Sequence, residues 1–257
     1  MQSTPIVSTP GLDGIASTEL ILVDYAFYCF LDLTMQTYQV SSLSGGIIHR
    51  PHNDAEAQDG DYRNEEQQKV HIFTMGGTID KDYPKLTSGY AFEFGETSAA
   101  ERILKAHPNL GICCKFHSIC KKDSLELTDR DRDTLKSEIF RILCHNHEMP
   151  RIVVTHGTDT MLETAKYIQN CLLERNQLFL NFEYVIAFTG ATKPERFVDS
   201  DASFNVGCAV AATSCCKPGS IVICMNGNVI PVDECVRDEA SGLFRRKQRR
   251  NEYEYYD

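Results

Sequence analysis

The chain of 257 residues reads as an α/β protein, a doubly wound, mostly parallel sheet with helices on both faces. Two observations carry that reading. From Val70 onward, short apolar runs alternate with longer stretches of helical spacing, the pattern left by strands joined through crossover helices. The apolar runs also end on glycine, at "MGGT" (75–78), "THGT" (155–158) and "FTGA" (188–191), where a missing Cβ lets the backbone turn sharply or approach another group.

Taken in order, "VHIFTM" (70–75) is the first strand and "GICCKFHSI" (111–119) the second. Thr128 stands before "DRDRDTLKSEIFRILCHNH", where Leu135, Ile139, Ile142 and Leu143 recur at helical spacing behind an acidic first turn. That arrangement caps a helix and suits its dipole, and Pro150 bounds it beyond His147. "RIVVTHG" (151–157) is a buried strand, "TMLETAKYIQNCLLE" a helix and "YVIAFTG" (184–190) the next strand. "SFNVGCAVAATSCC" (203–216) is rich in small residues and packs as a helix close to a sheet. "GSIVICMNGNVIPV" (219–232) is a hairpin turning at Asn226–Gly227. Ligands of such folds lie at the carboxyl ends of the strands. Three hydroxyl-bearing loops, 76–78, 155–160 and 189–194, are therefore expected on one rim.

The chain divides into a divergent extension and polar linker (1–68), the α/β domain (69–243) and a charged tail (244–257). Residues 1–19 are rich in Ser, Thr, Pro and Gly, and 50–69 are almost wholly polar, a linker composition. Between them "LILVDYAFYCFLDL" (20–33) is an apolar island, strand or helix. It is shorter than the roughly 20 residues that cross a bilayer and carries Asp24 and Asp32. No Lys or Arg precedes Arg50, so neither a membrane span nor a signal peptide is expected.

A net charge of −10 argues against nucleic acid as the main partner. The run Arg245, Arg246, Lys247, Arg249 and Arg250 reads first as a solvated tail, with a targeting role second. Eleven cysteines without a CxxC pair read as reduced thiols in a cytoplasmic protein. His145 and His147 have no third ligand near in sequence, so they read as a polar helix end and no metal is expected. Alone, "GGT" also suits a phosphate loop, but neither Gly-x-Gly-x-x-Gly nor Gly-Lys-Ser/Thr occurs. No cofactor is expected. In "VVTHGTDTMLETA" the turn leads Thr158 and Asp159 into a helix whose free N–H groups can hold an anion or a developing oxyanion; simple capping would account for either residue alone.

"FTMGGTID" together with "VVTHGTDTM" resembles the bacterial-type L-asparaginase and glutaminase family. The resemblance continues through "KDSLELT" (122–128), "GATKPERFVDSDASFNVGCAVAA" (190–212) and "VICMNGNVI" (222–230). It covers about residues 70–240, the family's flavodoxin-like amino-terminal catalytic domain, and the carboxy-terminal domain is not among these residues. The resemblance implies hydrolysis of a small amino-acid amide, asparagine or glutamine, without metal or cofactor; a homo-oligomer is compatible with it.

Residue by residue, Thr78 matches the nucleophile and Tyr90 the tyrosine of the flexible lid, with Tyr83 the nearby competitor. Thr158 and Asp159 match the second threonine and its aspartate, which activate a water or the nucleophile and hold the substrate's amino group. Ser124 matches the serine that binds the α-carboxylate, and Gly77 and Gly157 offer backbone contacts. The sequence departs from the family where a lysine is usual, a position held by Arg237 or Asp238, and at Leu125, where a polar residue is usual. An arginine there keeps the charge but cannot serve as a base near neutral pH. A domain that keeps these motifs yet only binds aspartate- or asparagine-type ligands is the alternative.

Overall fold

The computed structural model describes residues 68–83, 92–146, 148–177 and 182–248. The expectations for the extension and its island, the linker up to 67, Tyr90, His147 and the end of the tail from 249 lie outside the described residues.

Strand β1 (Gln68–Gly76) is the centre of the architecture. It pairs in parallel with β4 (Ile112–Lys122) on one side and β5 (Arg151–Thr155) on the other. The sheet continues through β6 (Val185–Thr189) and β7 (Ser220–Met225) to β8 (Asn228–Pro231), giving the order β4-β1-β5-β6-β7-β8. Within this sheet only β8 runs antiparallel, because it returns from β7 through a tight hairpin. Asn226 and Gly227 turn that hairpin with φ of 54° and 73°, the left-handed pair that matches strand twist.

Alternation along the strands splits the core. Val70, Ile72, Val153, Ala187 and Val222 point to one face and meet helices α1 (Ala99–Lys105) and α4 (Ala202–Cys215). The small residues Ala202, Ala209 and Ala212 let α4 lie close to the sheet. The intervening residues Phe73, Ile152, Val154, Ile186 and Phe188 are buried too, so the strands are apolar on both sides as a covered parallel sheet requires. Helices α2 (Asp129–His145) and α3 (Met161–Gln177) pack on one another. Asp131 starts α2 by accepting from the Thr128 N–H at 2.8 Å and its hydroxyl at 2.7 Å, a local closure that its position three residues after Thr128 allows.

Two short pairings are not legible in the sequence: β2 (Lys81–Asp82) with β3 (Glu93–Phe94), and β9 (Cys235–Arg237) with β10 (Phe244–Arg246). Two or three residues carry no readable period. The second pairing also changes the reading of the stretch from 244. Phe244 is 1 % exposed, and Arg246 and Arg245 reach Glu234 and Asp238, so the basic run begins as part of the folded unit. All described cysteines are free thiols, and no helix among the described residues is long and apolar enough to cross a membrane.

His71 on β1 and His117 on β4 lie side by side, Nδ1 to Nε2 3.1 Å, with their rings stacked. Burial and the neighbouring His117 push His71 down to about 4. The unfolded chain then binds more protons than the folded one over this interval. The stability from neutral His71 is complete above about pH 6.5 and is lost as pH falls toward about 4. Urea unfolding across this range should show a midpoint that falls with pH, and His71→Gln should flatten the slope; equal slopes would remove His71 as the cause.

Candidate active site

Thr74 pairs with Ser118, but Gly76 pairs with Lys122, so the β1–β4 register slips between them. This bulge carries β1 across the top of the sheet. Gly76 has φ +82°, and a Cβ there would lie 2.6 Å from both the N and O of Lys122. Gly77, also at φ +82°, faces the other neighbour: its Cβ would lie 2.3 Å from Gly157 N and 2.4 Å from Gly157 Cα. One glycine presses on β4 and the next on the turn after β5. The Gly77 N–H donates to the Lys122 carbonyl at 2.8 Å and fixes the crossing.

Gly157 closes the third side. A Cβ there would meet Ser124 Cβ at 2.6 Å and Oγ at 2.7 Å. Ser124 is 2 % exposed and opens a single 3₁₀ turn, Ser124–Glu126, capped by Asp123. Thr78 opens another, Thr78–Asp80. Thr78 and Thr158 are half-buried and Asp159 is exposed. The turns bearing Thr78, Ser124, Thr158 and Asp159 thus gather around one backbone contact.

Side chains strap these turns together. Lys81 reaches Asp123 at 2.6 Å, tying the segment after Thr78 to the cap of Ser124. The Thr160 hydroxyl donates to the Ser124 carbonyl at 2.8 Å. Arg237 Nη2 donates to Asp159 Oδ1 at 2.8 Å. Asp238 turns away, accepting from the N–H groups of Ala240 and Ser241 and facing Arg245. Arg237 sits opposite Phe244 in the β9–β10 pair, and its Nε is buried without a partner among the described residues.

One expectation changes. The loop 189–194 does not bring its hydroxyls to the rim: Thr189 donates to the buried Cys224 carbonyl, and Thr192 bonds Asp201. Its contribution is Gly190, where a Cβ would lie 2.4 Å from the His156 carbonyl oxygen. Ser124 takes the third place instead. Tyr83 stacks on Phe197 with Phe92 beside it, ring centroids 5.6 Å and 6.1 Å away, and is 60 % exposed. Leu125 points outward at 74 % exposure, so it contributes no polar group beside Ser124.

Asp80, Lys81 and Asp123 stand beside the site without being singled out by the sequence, whose only signal for them is adjacency to the glycine and serine motifs. Asp80 is 6 % exposed and accepts from the Ala99 N–H at the start of α1, at 2.6 Å. Burial pushes its carboxyl up to about 6. No group of three or more metal-ligating side chains stands together among the described residues.

The family model "Asparaginase, N-terminal" matches residues 69–244. A glutamyl-tRNA(Gln) amidotransferase chain of Archaeoglobus fulgidus is 29 % identical over 168 residues, covering 62 % of this chain and 35 % of that protein. A glutaminase-asparaginase of Acinetobacter glutaminasificans is 24 % identical over 181 residues, covering 69 % of this chain and 50 % of that protein. The chain therefore spans half or less of the length of these relatives. Among solved structures, the thermostable L-asparaginase from Thermococcus kodakarensis aligns with a TM-score of 0.55 at 20 % identity, over 70 % of this chain and 51 % of its own. L-asparaginase I from Vibrio cholerae aligns at 0.54 and 18 %, over 70 % and 51 %. At those identities the likeness is one of fold.

Two outcomes follow from the geometry. Gly77→Ala should cost about 4 kcal/mol or more, because the new methyl meets main chain that cannot yield, seen as a lowered midpoint in denaturant. Asp80 works with the opposite sign to His71. Its folded value is raised, so its stabilisation is complete below about pH 3.8 and is lost as pH rises through about 6. Asp80→Asn should gain stability relative to the parent between those values, and a constant difference across pH would contradict the assignment.

Proposed function

Because the chain belongs to the asparaginase family, we propose that it hydrolyses the side-chain amide of L-asparagine to aspartate and ammonia, with Thr78 as nucleophile. L-Glutamine, one methylene longer, is the second candidate substrate. The observation that supports this reading is the seating of Gly77 on Gly157 with Ser124 against it, which sets the turns bearing Thr78 and Thr158 side by side.

In the proposed reaction, Thr78 Oγ bonds to the amide carbon while its proton passes to an acceptor, Tyr90 or the Thr158–Asp159 pair. Collapse of the adduct, with that proton returned to the amide nitrogen, expels ammonia and leaves an ester on Thr78. Water then cleaves the ester, giving the free acid and restoring the hydroxyl. Ser124 receives the α-carboxylate and Asp159 the α-ammonium. Arg237 orients Asp159 and, being permanently protonated, does not act as base.

That same ion pair favours a second reading. With a guanidinium where the family resemblance expects lysine, the domain binds aspartate-type ligands and turns over slowly or not at all. Ammonia release from asparagine and glutamine separates the two. In the first reading release vanishes in Thr78→Ala, while L-aspartate affinity changes by less than about tenfold. No release by the parent, with L-aspartate still raising Tm, leaves the second. Arg237→Lys should raise turnover at least about tenfold by restoring a group that can exchange a proton; an unchanged rate would remove this position from the proton path.

A further inference from the structure

Behind the Thr158 turn lies a buried polar chain that the reaction above does not use. His156 and Thr164 are fully buried and Arg132 is 6 % exposed. His156 Nδ1 lies 2.7 Å from the Gly157 carbonyl oxygen and its Nε2 2.9 Å from Thr164 Oγ1. Arg132 Nε donates to Thr164 Oγ1 at 3.2 Å. The remaining guanidinium nitrogens reach Asp129 at 3.1 Å and Glu163 at 3.0 Å, whose side chains are 97 % and 64 % exposed.

The two ends dictate the direction of every bond between them. A carbonyl only accepts, so His156 carries its proton on Nδ1; a guanidinium only donates, so the Thr164 oxygen accepts from Arg132. The Thr164 hydroxyl is then directed at Nε2, which holds the lone pair. Without Arg132, the hydroxyl is free to rotate back onto the carbonyl one turn earlier in its helix, the Thr160 carbonyl to which the Thr164 N–H already donates at 3.0 Å. His156 Nε2 would lose its donor, leaving the ring held from the Gly157 carbonyl side alone. A neutral buried histidine needs only the carbonyl and the threonine. A buried arginine on top of them is costly and is explained if the direction of the chain matters.

We propose that Arg132 is a positioning residue for the Thr158–Asp159 turn, acting through Thr164 and His156 on the Gly157 carbonyl. The peptide plane is rigid and trans, so holding the Gly157 carbonyl against the imidazole turns the Thr158 N–H the opposite way. The kinetic consequence rests on the reading under Proposed function; the structural one does not.

The test uses the full chain, with nitrogen NMR of the imidazole, backbone amide resonances, and asparagine turnover. The parent should show His156 protonated on Nδ1. Arg132→Met should remain folded, since its carboxylate partners are already in solvent, yet shift the His156 Nε2 resonance as its donor is lost and move the Thr158 and Asp159 amides. Thr164→Val should do the same and lower kcat about tenfold with little change in KM, while Thr164→Ser restores both. A folded Arg132→Met with the parent's Nε2 resonance and unmoved Thr158 and Asp159 amides overturns the proposal. So does a Ser variant no better than Val. If the parent releases no ammonia, the hydrolase reading fails, and the Nε2 and amide signals still decide the role of Arg132.

Discussion

Everything at the carboxyl end of the sheet depends on one steric requirement: β1 must cross between two neighbouring main chains with no side chain in the way. Gly76 touches β4 at Lys122 and Gly77 touches the turn after β5 at Gly157. Each position also needs a positive φ, which most L side chains avoid. The pair is therefore constrained twice, by space and by backbone conformation. Gly157 repeats the constraint toward Ser124. Residues far apart in the chain become neighbours there because the intervening Cβ atoms are missing.

Charge then fixes what sterics bring together. The Lys81–Asp123 and Arg237–Asp159 pairs span distant segments and stand half-exposed at 25 %/33 % and 27 %/42 %. Exposed pairs of this kind add little stability, about 1 kcal/mol or less. Their value is geometric, since each sets the direction of a carboxylate. The buried groups behave differently. Desolvation holds His71 and His156 neutral, both down to about 4, and raises Asp80 to about 6. The interior thus carries titrations of opposite sign, His71 and His156 against Asp80.

The long elements were legible because their periods are long. β1, β5, β6 and the hairpin at Asn226–Gly227 fall where apolar runs and turn residues placed them, and the helix behind Thr128 ends within two residues of His147. The site was legible only through motif resemblance, since nothing in "GGT" alone separates a phosphate loop from a nucleophile turn. What stayed hidden is tertiary. Thr192 looked like a rim hydroxyl but serves Asp201, and no local pattern announces that Arg132, in an amphipathic helix, turns its charge inward. The short β9–β10 pair, which carries Arg237, has too few residues to show a period.

That short pair also sets an order of events. Arg237 meets Asp159 across 78 residues of sequence, and it is held there by β10, the last strand of the described residues. During synthesis the turn of Asp159 emerges long before its cation does. The parallel core can assemble around the glycine crossing while the carboxylate still faces water, and the electrostatic finish of the site waits for the final hairpin.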